Sequence, residues 1–590
     1  MRSARFTAPI LALLLLFALI VREGPRPEGG APPRPGVERF VEAEGAWNLR
    51  RVQLALASGR VAQFDRAARF PSGGDVVDPP VFVAALTGGA WLWLDGATGS
   101  ASGAPLDEAR LADVLRHVGP LLGLLLVLVA HRAVARLGGP SAKVRALSAA
   151  AQLAIGAPFV LALEAGRLPL GAWSALFSIL GLSVAVPLLR REGELLDRLQ
   201  SAMLAGLVLG VGLASSPLAL AAIAPLVVLL GVELYATADG EARRARAREA
   251  LLLIVSITCV AALPAVGGPW QQPGPDGPVG RFARTAPLAL LLAALPFAPA
   301  FWPPISRRLE ARGSTRRVAT LALLVAAVSI VVLVPGLPAP RMVAFPPAWA
   351  LLFAIAFVCC LRDRRGAGLR AWCCVFPVAW VAASLDERGA LFAGVAGTVL
   401  VAAAIWPVGR PSRRWLLAAL AAVLVADLTG SWMSRHAAEA RRATDARVAH
   451  ALRELRTSTP SAGPWNSSRA VLAWCVAAPP ALAPAVLVHA RRPVLSAGGR
   501  VSGGADDPRG EALWTVEDAD ELRDVARSLG VRVVCLRPTD VDDLERRYDR
   551  ELPFLHRLLG TETLGLDREL VEPYDEAGRA ALAVVRLHVD

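Results

Sequence analysis

The chain has 590 residues, of which 54% are hydrophobic and only 19% are charged, and its mean hydropathy is +0.47. Soluble globular proteins carry about 25% charged residues, so the composition argues against a simple soluble enzyme, and the apolar content excludes a disordered chain. The net charge of +13 could indicate a nucleic-acid partner. Its basic excess lies between apolar segments, however, and in residues 436–590 acidic residues outnumber basic ones. We therefore expect no nucleic-acid partner.

Thirteen apolar runs are long enough to cross the hydrocarbon core of a bilayer, which takes ~20 helical residues. A shorter run at 81–94 is followed by Asp95 and predicts a helix on the membrane surface or packed against the bundle. The thirteen predicted spans lie near residues 6–22, 113–134, 146–164, 168–190, 199–216, 218–236, 248–266, 285–302, 317–336, 342–361, 369–384, 389–408 and 414–433.

The basic residues of the loops predict the orientation. They concentrate in alternate loops, such as 243–248 and 307–317, and loops rich in Arg and Lys stay on the cytoplasmic side. This places the N-terminus in the cytoplasm, and an odd number of spans then places the C-terminal part outside. We expect a multi-pass protein of the bacterial inner (plasma) membrane, with the first run as an uncleaved span rather than a signal peptide.

Two long segments are predicted on the outer side, and they define the predicted domains. Residues 1–435 form a transmembrane domain that includes the outer loop 22–112, and residues 436–590 form a soluble extracytoplasmic α/β domain. Apolar periodicity predicts a helix over 40–57 in the loop. In the C-terminal part the pattern predicts helices at 436–456 and 517–529, the second ended by Gly530, and strands at 471–473, 493–495, 531–536 and 581–589.

Short motifs follow one another along the chain in a recognisable order. The first outer loop contains Glu44-Gly-Ala-Trp-Asn-Leu-Arg-Arg51, Phe64-Asp65-Arg66, Phe70-Pro71-Ser72-Gly73 and Asp78-Pro79-Pro80, and His489-Ala-Arg-Arg-Pro-Val494 lies near the C-terminus. The ordered set resembles bacterial relatives of the catalytic subunit of oligosaccharyltransferase, within the GT-C class of membrane glycosyltransferases. The resemblance implies a multi-pass α-helical membrane protein with about 13 transmembrane helices and a C-terminal extracytoplasmic α/β domain.

The resemblance also implies an activity. Such enzymes transfer a sugar from a polyprenyl-phosphate-linked donor to an acceptor at the outer face of the membrane. The implied partners are membrane lipid, the lipid-linked sugar donor and an unknown protein or glycan acceptor. The implied cofactor is a divalent cation, Mg or Mn, if the chain is active, because carboxylate oxygens and a hard cation offset phosphate charge.

Site residues follow from the same resemblance. Glu44 stands where the family has an aspartate, so it is expected to be catalytic and to bind the metal, and Glu42, two residues earlier, is a second catalytic candidate. Arg491 and Arg492 are expected to contact the donor. The structural alternative for Glu44 is a solvated carboxylate at a helix start. Asp75 and Asp78 could contribute to the metal site because they lie in the same loop, but a turn-forming role beside Gly73, Gly74 and Pro79 is favoured for both.

The sequence departs from the family at its other acidic positions. Gly166-Arg-Leu-Pro-Leu-Gly171 lacks the acid and both histidines expected there, Pro335-Gly-Leu-Pro-Ala-Pro-Arg341 carries no acid, and Trp474 is followed by Cys475 instead of an aspartate. A cation held by one carboxylate would bind weakly. The alternative is therefore a catalytically degenerate GT-C scaffold, a pseudoenzyme or a lipid-sugar binding protein. A transporter or channel, which calls for broken helices with polar groups at mid-membrane, fits less well.

Overall fold

The computed structural model describes most of the chain. The described residues are 4–23, 40, 42–98, 108–138, 141–165, 167–190, 193–237, 239–272, 277–301, 346–362, 367–405, 411–463, 471–497, 500–501, 508–575 and 577–587. The predicted span 317–336 and the loop 335–341 lie outside them. The described chain is mostly helical, with a four-stranded sheet near its C-terminus.

Most of the described residues in the first three quarters of the chain lie in helices, many of them apolar. Five of them are long and apolar enough to cross a membrane: Arg110–Arg136, Leu170–Arg190, Leu195–Ser215, Pro217–Ala236 and Gly240–Val266. Shorter apolar helices cover Thr7–Arg22, Val81–Leu94, Ala348–Leu361, Leu369–Ser384, Ala390–Ile405 and Trp415–Asp427. The protein is thus a membrane protein with several spans, and the total of about 13 stays a prediction.

The helix boundaries in the membrane part and the first loop follow the apolar runs. They are Ala4–Glu23, Ala43–Ser58, Val81–Thr98, Glu108–Leu115, Val118–Arg136, Ala142–Ile155, Ala157–Ala162, Leu170–Arg190, Leu195–Ser215, Leu220–Ala236, Gly240–Ala261, Leu263–Val266, Pro278–Ala294, Pro347–Arg362, Ala367–Leu385, Ala390–Ile405 and Pro411–Ser458. The helices predicted over 40–57 and 81–94 are both present.

Small residues allow the apolar helices to pack closely. A Cβ at Gly206 would lie 2.6 Å from the backbone oxygen of Leu253, and one at Gly210 would lie 2.6 Å from the Cβ of Val260. Both glycines sit in helix Leu195–Ser215 and face helix Gly240–Ala261. Glycines four residues apart let two helix backbones approach within van der Waals contact, which is how helices associate where hydrophobic burial provides no net drive.

Helix Pro411–Ser458 is 48 residues long and runs through the predicted domain boundary between residues 435 and 436. The last predicted span and the predicted polar helix at 436–456 are therefore one continuous helix. Asp427, within it, accepts hydrogen bonds through Oδ2 from the backbone N of Ala157 (3.0 Å) and from Nε1 of Trp349 (2.9 Å). The acid thereby satisfies a free N–H where helix Ala157–Ala162 begins.

The described residues form six short strands. β1 (Phe64–Asp65) and β2 (Gly74–Asp75) pair antiparallel in the first loop. The others form a sheet in the order β3-β4-β6-β5: β3 (Cys475–Ala477), β4 (Val531–Leu536), β5 (Asp567–Tyr574) and β6 (Ala580–Arg586). β3 is parallel to β4, and the other neighbours are antiparallel.

The sequence located part of this sheet correctly. The strands predicted at 531–536 and 581–589 are confirmed, as is the helix Ala519–Leu529 ended by Gly530 with φ of 69°. The strand predicted at 471–473 is wrong, because the chain pairs only from Cys475, and 493–495 contributes only an isolated bridge between Val494 and Val476. Helices Pro508–Trp514, Pro538–Tyr548 and Pro553–Leu559 complete the region.

The first loop packs against the C-terminal segment. One buried apolar cluster combines Trp47 and Val52 of the first loop with Leu452, Val486 and Val494. Burial of such side chains stabilises the contact by about 25 cal/mol for each Å² of apolar surface. The two segments that the charge pattern placed on one side of the membrane therefore lie together.

Candidate functional site

The predicted catalytic residues lie at the start of helix Ala43–Ser58. Glu42 is its N-cap, with an extended backbone, and its Oε2 accepts a hydrogen bond from the backbone N of Gly45 (3.0 Å). Glu42 therefore holds the helix start in place, and its negative charge suits the positive end of the helix dipole.

Glu44 projects from the first turn of this helix towards residues 168–170, part of the segment that lacks the acid expected from the resemblance. Its Oε1 accepts the backbone N–H of Leu170 (3.0 Å), the first residue of helix Leu170–Arg190. Asn48, one turn further along, donates through Nδ2 to the backbone oxygen of Leu168 (2.8 Å). The segment that lacks the expected acid thus meets Glu44 directly, through backbone groups.

Asp78 has the most polar contacts in this region. Its Oδ1 accepts from Nη1 of Arg388 (2.6 Å) and its Oδ2 accepts from Nε1 of Trp47 (3.0 Å). Nη1 of Arg500 lies 4.0 Å from Oδ2, and Nη2 of Arg51 donates to the backbone oxygen of Asp78 (3.1 Å). Its interpretation as a turn-forming residue was therefore incomplete, since Asp78 is a buried anion among three arginines.

Arg388 links the two acids. It lies in the turn Glu387–Gly389, where its backbone N donates to Oδ1 of Asp386 (3.0 Å), and its Nε is 3.9 Å from Oε1 of Glu44. Gly171 permits this approach, because a Cβ there would lie 2.4 Å from the backbone oxygen of Arg388. We call Glu44, Asp78, Arg51, Arg388 and Arg500 the Glu44 cluster.

The charges of the cluster shift one another's pKa values. Burial raises the pKa of Glu44, and the nearby Arg388 and Arg500 offset part of that rise. Burial alone would also raise the pKa of Asp78, but Arg388, Arg500 and Arg51 lower it well below its usual range. Glu44 is therefore the acid of the cluster that most readily takes up a proton.

Neighbouring contacts fix the first loop around the cluster. Arg50 and Asp65 form a fully buried ion pair, with Nε 3.2 Å from Oδ2 and Nη2 3.4 Å from Oδ1. Arg500 is held beside Asp78 because the backbone N of Val77 donates to its backbone oxygen (3.1 Å). Buried paired charges of this kind give a defined geometry, because breaking them is costly.

The predicted donor-binding arginines lie at the C-terminal end of the long helix. Arg492 donates through Nη2 to the backbone oxygens of Arg456 and Thr459 (2.7 Å each), and its guanidinium lies 5.6 Å from the ring centre of Trp474. These contacts cap the end of helix Pro411–Ser458. Arg491 is half-buried with φ of 50°, and its charge interacts with that of Arg50. Their role as donor contacts stays a prediction.

Sequence reasoning missed the three arginines of the Glu44 cluster. Arg388 follows Asp386 and Glu387 in a short charged turn between two apolar runs, and that turn was a signal that could have marked it. Arg51 was part of the resemblance motif without an assigned role. Arg500 gave no signal, because its position depends on pairing between distant segments.

Two groups of described side chains bear on metal binding. Around Glu44 the residues do not fit a divalent cation: both oxygens of Asp78 accept N–H donors, Oε1 of Glu44 accepts another, and three guanidiniums surround them. Among the described residues, one group of three metal-ligating side chains has its ligand atoms within 4.8 Å of one another: Asp542, Glu545 and His556. Arg579 already lies 3.1 Å from Oδ1 of Asp542, so a cation there would compete with it.

Comparison with known proteins identifies the fold. No family model matches the sequence, and no curated protein matches it. One similar solved structure is the archaeal oligosaccharyltransferase AglB of Archaeoglobus fulgidus in complex with an inhibitory peptide and a dolichol-phosphate. It aligns over 100% of this chain and 75% of its own, with a TM-score of 0.68 and 13% sequence identity.

Two further structures of the Archaeoglobus fulgidus enzyme match in the same way. The one tethered to an acceptor peptide with the NVT sequon has a TM-score of 0.67 at 15% identity, over 98% of this chain and 74% of its own. The complex with Zn and sulfate has a TM-score of 0.64 at 15% identity and aligns over 97% of this chain and 72% of its own. The chain therefore has the fold of an oligosaccharyltransferase, a GT-C glycosyltransferase.

Proposed function

We propose that this chain is a membrane glycosyltransferase that transfers a sugar from a polyprenyl-phosphate-linked donor to a protein or glycan acceptor at the outer face of a bacterial inner membrane. The observation that carries the proposal is the likeness to the archaeal oligosaccharyltransferase over the whole chain. The N-terminus would be cytoplasmic and residues 436–590 extracytoplasmic. The packing of the first loop against the C-terminal segment supports a shared outer side for both.

Glu44 is the residue best placed to act on the acceptor. Burial raises its pKa, which brings the carboxyl nearer to the pH range in which a group can both accept and release a proton. Its side chain is 18% exposed, so a small polar group can reach it. We assign Glu44 the role of base or hydrogen-bond acceptor towards the acceptor hydroxyl or amide, and Glu42 the role of holding the helix start from which Glu44 projects.

The arginines would meet the anionic donor. Guanidinium groups pair with phosphate oxygens through charge-assisted hydrogen bonds. Arg491 has a half-buried side chain and is the better placed of the two predicted donor contacts, because Arg492 already binds backbone oxygens of the long helix. Mg or Mn at Glu44, expected from the resemblance, is not part of this proposal because the surroundings of Glu44 are cationic.

Transfer of labelled sugar tests the proposal. Purified full-length protein in liposomes would be incubated with radiolabelled lipid-linked sugars extracted from bacterial membranes, and label leaving the lipid phase would be counted. We expect turnover by the wild type and a loss of about 10² to 10⁴-fold for Glu44→Gln, the usual contribution of a general base. The matched control is Asp524→Asn, at a carboxylate with a 77% exposed side chain. Equal rates for wild type and Glu44→Gln would refute the role of Glu44.

A second function, a degenerate scaffold or lipid-sugar binding protein, is favoured by one observation. Oε1 of Glu44 and both carboxylate oxygens of Asp78 already accept hydrogen bonds from the protein itself. This alternative predicts saturable binding of the labelled lipid-linked sugar, unchanged in Glu44→Gln, with no release of label by the wild type over long incubation.

A further inference from the structure

We propose that the guanidinium of Arg388 takes the place of a divalent cation in the Glu44 cluster, so that this site binds no metal ion. The proposal about binding concerns the free protein. Its consequence for turnover, that transfer needs no metal at this site, rests on the proposed function.

The position of Arg388 is the first argument. Its guanidinium lies between two carboxylates from different parts of the first loop, 2.6 Å from Oδ1 of Asp78 and 3.9 Å from Oε1 of Glu44. A bridging cation would have to bind these same oxygens. The backbone of Arg388 is fixed as well, by its hydrogen bond to Asp386 and its contact with Gly171, so the side chain starts from a constrained position.

The remaining lone pairs are the second argument. Mg²⁺ demands near-octahedral geometry, and Ca²⁺ takes six to eight oxygen ligands. Oδ2 of Asp78 accepts from the indole of Trp47, and Oε1 of Glu44 accepts from the backbone of Leu170. A cation would have to displace both of these N–H donors. The indole N–H of Trp47 has no other acceptor among the contacts described for it. A buried N–H group left without an acceptor loses a hydrogen bond that water cannot replace there.

The balance of charge is the third argument. Two carboxylates of the cluster face the guanidiniums of Arg51, Arg388 and Arg500, all of which act on the pKa of Asp78. These three guanidiniums already pair with the two carboxylates, and Glu42 and Asp386 are the next acids whose charges act on Glu44 and Arg388. A divalent ion bound between Glu44 and Asp78 would therefore lie directly beside three cations in a poorly solvated region, where like charges repel more strongly than in water. A guanidinium, by contrast, keeps its charge at every physiological pH and is weakly hydrated, which suits a partly buried position.

The Mn²⁺ EPR signal of the full-length protein in detergent tests the binding. Free Mn²⁺ would be titrated into wild type and Glu44→Gln, and the bound fraction compared. The group Asp542, Glu545 and His556 is present in both proteins, so any ion there cancels in the comparison. We expect equal binding. One additional Mn²⁺ per chain in the wild type would overturn the proposal.

A second measurement uses Trp47 and does not depend on the folding of Glu44→Gln. Its Nε1 lies 3.0 Å from Asp78, so a paramagnetic ion bound in the cluster would quench its fluorescence. The signal of Trp47 is the difference between wild type and Trp47→Phe. We expect Mn²⁺ to leave this difference unchanged, and quenching that EDTA reverses would contradict the proposal.

The transfer assay separates this proposal from the proposed function. Turnover that stays within twofold after EDTA treatment supports both. Turnover that EDTA abolishes and Mn²⁺ restores, together with an ion bound through Glu44, supports the function and overturns the role of Arg388. A wild type without any turnover refutes the function, and the two binding comparisons then decide the proposal about Arg388 on their own.

Discussion

Replacement of Asp78 by Asn is the perturbation that the structure predicts most sharply. Asn has nearly the same shape as Asp but no charge, and its amide group would present N–H donors where Asp78 now accepts from Arg388 or Trp47. The change therefore leaves guanidiniums without their counter-ion and sets donor against donor. The side chain of Asp78 is only 4% exposed, so water cannot take its place.

The magnitude follows from burial. Removing one partner of a buried ion pair costs about 3–5 kcal/mol. The lower end, about 3 kcal/mol, applies here because Arg388 is 21% exposed and can turn partly towards solvent. With an unfolding entropy of about 2.1 cal/mol/K for each of the 590 residues, this lowers the Tm by about 2.5 °C if the chain unfolds as one unit. The shift is larger if the first loop and the C-terminal segment unfold separately.

Thermal unfolding in one detergent, followed by tryptophan fluorescence, measures the effect. The matched control is Asp524→Asn, which breaks an exposed pair with Arg527 and should cost about 0–1 kcal/mol. Equal Tm values for Asp78→Asn and this control would refute the reasoning.

The pH dependence of the stability difference between wild type and Asp78→Asn gives a second check. The pKa of Asp78 is lower in the folded protein than its ordinary value of 3.8, so its ionised form stabilises the fold. That stability is fully present above the ordinary pKa and is lost as the pH falls through the folded value. The difference between wild type and Asp78→Asn should therefore persist from neutral pH down to about pH 4 and shrink below it. A difference that vanishes at higher pH would contradict the lowered pKa.

Three further predictions concern the surroundings of the cluster. Gly171→Ala places a Cβ 2.4 Å from an opposing backbone oxygen and should destabilise the protein by about 1–3 kcal/mol in thermal unfolding. The control Gly88→Ala, at a helical glycine with open space around it, should stabilise the protein by about 0.5–1 kcal/mol. Arg50→Ala and Asp65→Ala should each cost about 3–5 kcal/mol, and the double variant should cost less than their sum in a double-mutant cycle. Glu44→Gln should gain stability relative to wild type as the pH rises above 4.5, since a raised folded pKa means that ionisation opposes folding; a constant difference across that range would contradict this.

The apolar helices could be predicted from the sequence because each contains its own signal. An uninterrupted apolar run needs no distant partner to be recognised, and the described spans lie where such runs occur. The helix that carries Glu44 was found from periodicity, and the structure places Glu44 in its first turn. Strand β4 was found for the same reason, since Val531–Leu536 is buried at five of six positions.

Features that depend on distant contacts could not be predicted. Strand β5 was missed because Asp567–Tyr574 is an edge strand in which polar residues are frequent. Arg500 reaches Asp78 only because residues 500–501 pair with Val76 and Val77 of the first loop. The cationic character of the Glu44 cluster likewise depends on segments more than 300 residues apart, so a search for acids along the sequence found the two carboxylates without the arginine between them.

The pH dependence of sugar transfer by wild type and Glu44→Gln tests the central claim most directly. With Glu44 as the base, the wild-type rate should rise with pH through an apparent pKa above 4.5, the ordinary value for Glu44, because burial raises it. The Glu44→Gln variant should retain only a slow rate without that rise. The same profile in both proteins, or a wild type that transfers no sugar at any pH, would contradict the account.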